Sequence, residues 1–109
     1  MINKQSKIFI TGHKGLVGSS LYNLLKSKGY KNLIVAGRNK LDLLDNKSVE
    51  KFIKKKKVEI IVNCAAKVGG ILANKINPVD FFYENMMMQN NLLMSASKYK
   101  IKRIVYLPQ

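Results

Sequence analysis

Thr11-Gly12-His13-Lys14-Gly15-Leu16-Val17-Gly18 is the stretch that decides the fold. It is a G-x-x-G-x-x-G run set between an apolar segment, Lys7-Ile8-Phe9-Ile10-Thr11, and a helical repeat of Leu16, Val17, Leu21, Leu24 and Leu25. A tight turn there needs residues free of Cβ restrictions, and backbone amides must come close to a pyrophosphate. The helix that follows must begin against the sheet, with its N–H groups and dipole facing the phosphates. The strand before and the helix after are the context the motif requires. The loop from Gly12 through His13, Lys14, Gly15, Leu16 and Val17 to Gly18 is therefore the expected dinucleotide site.

Outward from the loop, strands and helices alternate. A helix is expected from about Gly15 to Lys28 with Gly29 as its stop. Strands follow at Asn32 to Ala36, Val58 to Cys64 and Arg103 to Leu107, with a short extended edge expected at Leu41 to Leu44. Asp45 is placed to cap a helix over Asn46 to Lys56, whose stripe is Val49, Phe52 and Ile53. A longer helix is expected from Pro78 to Tyr99, with proline in its first turn. This rhythm predicts a Rossmann-like, doubly wound α/β fold of about four parallel strands, one domain over residues 1–109.

Composition sets the outer bounds. The 109 residues suit one modest core, and 47% hydrophobic with 24% charged is an ordinary globular balance. No apolar run approaches the ~20 residues of a membrane span. The start leads into a strand without a signal-like apolar stretch, and Cys64, the single cysteine, has no internal disulfide partner; a reducing cytoplasm is the expected location. The net charge of +14 rests on lysine, with Arg38 and Arg103 the only arginines and one run at Lys54 to Lys57. Clustered arginine and exposed aromatics on a recognisable module are missing, so a solvated basic face is expected, with neither nucleic acid nor membrane as partner. No metal site is expected.

Cofactor choice is read after the second strand, where an acid accepts from the ribose 2′-OH and an arginine accommodates a 2′-phosphate. The strand here ends Val35-Ala36-Gly37-Arg38-Asn39, with no acid before Asp42. Arg38, together with Lys14 in the glycine loop, predicts NADP(H) over NAD. The third strand opens into Ala65-Ala66-Lys67-Val68-Gly69-Gly70. Ala65 and Ala66 are small enough for backbone to approach the cofactor, and Lys67 is a candidate partner for anionic or carbonyl oxygens. His13 is expected to shape the turn, Met86 to Met88 to fill core or interface, Cys64 to be inert packing, and Asp42 and Asp45 to serve as turn and cap.

The loop with its leading threonine resembles the extended short-chain dehydrogenase/reductases. Gly12 to Ser19 is similar to G-H-R-G-M-V-G-S, with Lys14 at the arginine position. Ala65 to Ile71, Asn74, Pro78 and Tyr83-Glu84-Asn85-Met86-Met87 resemble the A-A-K-V-G-G-I … N … P … Y-x-N-M-M signature of the GDP-L-fucose synthase family. The likeness runs up to Leu107. It implies an NADP-dependent epimerase/reductase acting on a GDP-4-keto-6-deoxy-mannose to give GDP-L-fucose, working as a homodimer. It also implies that Leu43 and Leu44, within Leu41-Asp42-Leu43-Leu44-Asp45, lie near the adenine, and that the Ala65 loop lies along the nicotinamide ribose.

One part of the pattern is missing. The family's last matching strand continues into Gly-Ser-Ser-Cys, and a Tyr-x-x-x-Lys pair follows; here Pro108-Gln109 follows Leu107. No catalytic residue is assigned, and the expectation is a truncated unit that binds cofactor without catalysis. Two alternatives are a non-catalytic NADP-binding module acting through a partner chain and a different nucleotide-sugar epimerase/dehydratase. The Arg103 to Leu107 strand and one face of the long helix are expected to be apolar and exposed.

Overall fold

The computed structural model describes residues 2–65 and 78–107. Four strands, β1 (Ile8–Thr11), β2 (Leu33–Ile34), β3 (Ile60–Asn63) and β4 (Arg103–Tyr106), form one sheet. Its order is β2-β1-β3-β4, and every pairing is parallel. Among the described residues three helices connect the strands: α1 (Leu16–Ser27), α2 (Asn46–Lys56) and α3 (Pro78–Lys98). The strand order reverses between β1 and β3, and this switch point leaves a crevice at the carboxyl ends of the two strands.

The two faces follow from the directions of the crossovers. Moving from β1 to β2 puts α1 on one side, where it covers Ile8, Ile10, Ile60 and Cys64. The opposite moves, β2 to β3 and β3 to β4, put α2 and α3 together on the other side over Phe9 and Ile61, with Leu92 of α3 buried among them. Alternation along Ile60-Ile61-Val62 therefore sends successive side chains to opposite faces, as a doubly covered strand requires.

Helix ends obey local rules with one substitution of residue type. The Asp45 side chain caps α2 by accepting from the Ser48 amide at 3.3 Å and the Ser48 hydroxyl at 2.8 Å. These bonds, the hydroxyl one foremost, hold the Asp45 carboxyl below its ordinary range. After α1 the chain turns through Gly29 at φ 92°, whereas α2 and α3 are followed by Lys57 (φ 55°) and Lys100 (φ 54°). Those two lysines occupy a left-handed conformation that glycine adopts at no steric cost.

Three expectations are corrected. No edge strand forms at Leu41 to Leu44: the Asp42 carboxylate accepts the Leu44 amide at 2.9 Å and its carbonyl the Asp45 amide at 3.0 Å, closing a turn. Leu41 is drawn into the core instead. β2 is two residues long, since it has a partner on one side only among the described residues. The α1 stripe is Val17, Leu21 and Leu25; Leu16 is 85% exposed and Leu24 51%, because the sheet meets one side of the helix. The methionine run divides as core and surface, Met88 being buried and Met86 exposed.

Candidate functional site

At the switch point lies a cavity of about 610 Å³, a volume in the range of small-molecule and cofactor sites. Its floor is the end of β1 and the glycine loop, its sides the turn after β2 and the end of β3. A buried polar knot fixes the floor. Thr11 Oγ1 donates to Asn63 Oδ1 and accepts from the Cys64 and Ala65 amides at 3.1 and 3.2 Å; Asn63 Oδ1 also accepts the Ala65 amide at 3.1 Å. These bonds lock the root of the loop to the exit of β3.

Two glycines are required here by space. Gly12 stands at φ 69°, and a Cβ on it would come within 2.7 Å of the Cys64 carbonyl. A Cβ on Gly18 would overlap the Gly12 carbonyl oxygen, so the first turn of α1 lies directly against the loop. Gly15, the N-cap of α1, offers no side-chain cap, and the first turn has no acidic residue. The helix therefore presents its uncompensated N–H groups, with their partial positive charge, beside the cavity. This is the chemistry an anionic diphosphate needs.

Positive side chains close the far side. The Lys14 ammonium crosses from the loop to the turn after β2, where it would lie 3.6 Å from a Cβ on Gly37. Arg38 and Asn39 line the same cavity and are exposed. The turn is held by the Lys40 and Leu41 amides donating to the Gly37 carbonyl at 2.9 and 3.0 Å. No acidic side chain lies between Ile34 and Asp42. The residues present thus fit a dinucleotide with extra negative charge on its adenosine half.

Of the residues singled out from sequence, Gly12, His13, Lys14, Gly15, Arg38, Leu43, Leu44 and Ala65 all line this cavity. Leu16, Val17 and Gly18 do not: Leu16 faces solvent, Val17 packs under the α1 face, and Gly18 acts through its missing side chain. Ala66 and Lys67 lie outside the described residues, as do Asn74 and the rest of that loop. The structure adds Phe9, Leu41 and Met88 to the lining. Met88 was legible only as one residue of an apolar helix stripe, while Asn63, a polar end to an apolar strand, was a signal left unread. Cys64 is buried at the cavity wall, and burial pushes its thiol pKa up, which favours the protonated form. Among the described residues no cluster of histidine, cysteine and acidic side chains could hold a metal ion, and no helix is long and apolar enough to cross a membrane.

Comparison with known proteins matches this geometry. The model of the NAD dependent epimerase/dehydratase family matches residues 8–108. GDP-L-fucose synthase 1 from Arabidopsis thaliana is 39% identical over 107 residues, 98% of this chain and 33% of that protein. GDP-L-fucose synthase from Escherichia coli (strain K12) is 36% identical over 103 residues, 94% of this chain and 32% of that protein. Among solved structures, a GDP-mannoheptose C4 reductase from Campylobacter jejuni with NADP bound is 37% identical. It superposes with a TM-score of 0.91 over 97% of this chain and 31% of that one. The chain spans about a third of the length of these relatives. With a Rossmann-like sheet, a glycine loop at its switch point and a family match over nearly every residue, the chain belongs to the NAD dependent epimerase/dehydratase family.

Proposed function

We propose that this chain is the NADP(H)-binding part of a GDP-L-fucose synthase-like nucleotide-sugar epimerase/reductase. The observation that carries this reading is the Lys14 ammonium lying over Gly37 beside Arg38, in the cavity floored by the glycine loop. In this reading the α1 N-terminus and the Gly12 to Gly18 amides hold the pyrophosphate. Lys14 and Arg38 pair with the 2′-phosphate, and Leu43 and Leu44 flank the adenine. The family resemblance assigns Ala65, Ala66 and Lys67 to the nicotinamide ribose side. When bound, the cofactor supplies hydride to a 4-keto sugar; what these residues do is bind, orient and keep its adenosine half in place.

The substrate class, a GDP-sugar, is carried over from the relatives' names, and GDP-4-keto-6-deoxy-mannose is what the family resemblance implies. The family resemblance implies a homodimer, for which the outer side of α3 (Val79, Phe82, Tyr83 and Met86 exposed) is the candidate surface, and the single cysteine fits a cytoplasmic location. Arg38→Ala with Lys14→Ala tests the reading: NADPH affinity falls at least ~30-fold, about 1 kcal/mol for each charge-assisted contact. NADH affinity stays within a factor of about two. Equal losses for both dinucleotides would remove the 2′-phosphate role.

A further inference from the structure

Behind the adenosine side of the cavity stands a residue that takes no part in its lining. Asn91, on α3, is 3% exposed, and its Nδ2 donates to the Leu43 carbonyl at 2.8 Å across 48 residues of sequence. Leu43 sits in the turn that the Asp42 carboxylate closes, and Leu43 and Leu44 both line the cavity. One turn earlier on the same helix, Met88 is buried and lines the cavity itself. A buried carboxamide costs stability unless it is bonded, and here its donor is spent on a backbone carbonyl of the cavity wall. The Leu43 segment has no sheet partner among the described residues, so this bond is a tertiary restraint from α3 on its position.

We infer that Asn91 is a positioning residue that sets the adenosine wall of the cofactor cavity by holding the Leu43 carbonyl. This rests on the NADP(H) reading above. It differs from a general packing role because its effect is confined to ligands that reach the Leu43–Leu44 wall. Ligands held by the glycine loop alone do not sense it.

The test uses the 109-residue chain and two probes, 2′,5′-ADP for the adenosine side and inorganic pyrophosphate for the loop. Both are titrated by amide chemical shifts. Asn91→Leu keeps the volume and removes the donor; 2′,5′-ADP is expected to bind about tenfold more weakly, with pyrophosphate unchanged within twofold. Asn91→Asp guards against a folding defect: it removes the donor at neutral pH and restores one when the buried carboxyl takes up a proton. Relative to wild type, its 2′,5′-ADP affinity should recover severalfold between pH 8 and about 5.5. Parallel losses for both probes, or no loss and no recovery, would overturn the role of Asn91 alone. A wild-type chain that binds neither probe would overturn the cofactor reading, and this assignment with it.

Discussion

On the side of the sheet that carries α2 and α3, Phe9, Val49, Ile53, Ile61 and Leu92 are sealed from solvent. On the α1 side, Val62, Val105 and Leu107 line an open groove of about 310 Å³ together with Ile2 and Leu25. Both sides are built from the same aliphatic residue types, so composition does not separate them. Topology does. Both crossovers running toward β4 fall on one face, and the single crossover running the other way leaves α1 to cover β1 and part of β3. The candidate cavity sits where the two kinds of crossover meet, and its floor is fixed by backbone and by the Thr11–Asn63 knot. The unequal cover of the two faces should therefore govern stability more than it governs the site.

The largest expected effect lies at the junction itself. Gly18→Ala puts a methyl against the Gly12 carbonyl, where neither backbone can yield. A loss of about 3 kcal/mol in denaturant unfolding is expected, with NADPH binding abolished. Next come adjacent residues on opposite faces. Ile61→Ala should cost about 3 kcal/mol, since Ile61 is 0% exposed under α2 and α3; Val62→Ala beside the groove should cost about 1 kcal/mol or less. Equal costs at 61 and 62 would break the contrast between faces. Lys57→Gly should raise stability by about 1 kcal/mol by relieving the left-handed lysine after α2, with NADPH affinity unchanged.

A smaller effect appears in acid. The Lys7 amide, donating at 3.0 Å, and then the Lys102 ammonium, also at 3.0 Å, hold the Glu59 carboxyl below its ordinary range. A folded pKa below the unfolded one means that this contribution is present above the ordinary carboxylate range. It is lost as pH falls through the lowered folded value. Melting temperatures of Glu59→Gln and wild type should differ at neutral pH and converge in acid; a gap that widens in acid would reverse the sign.

Much of this fold was legible because the signals were local. The glycine loop, the Asp45 cap and the apolar run Val58 to Cys64 each report on a few neighbouring residues, and each element grew from them. What escaped was set by tertiary position. Leu41 to Leu44 carries a strand-like apolar pattern, yet Asp42 closes a turn there and Leu41 drops into the core. Leu16 and Leu24 fit the helical repeat but have no sheet beneath them. In the site, the loop and Arg38 were readable from charge and spacing. Met88 and Asn91 were not, because which side of α3 meets the turn after β2 depends on how that helix packs against α2.

The central claim is that the cavity selects the 2′-phosphate of NADP(H), and calorimetric titration of the 109-residue chain with NADPH and NADH at one fixed ionic strength tests it most directly. Lys14 over Gly37 and Arg38 beside it predict NADPH tighter by about 30-fold or more, near 2 kcal/mol. NADH bound as tightly as NADPH, or more tightly, would contradict the account.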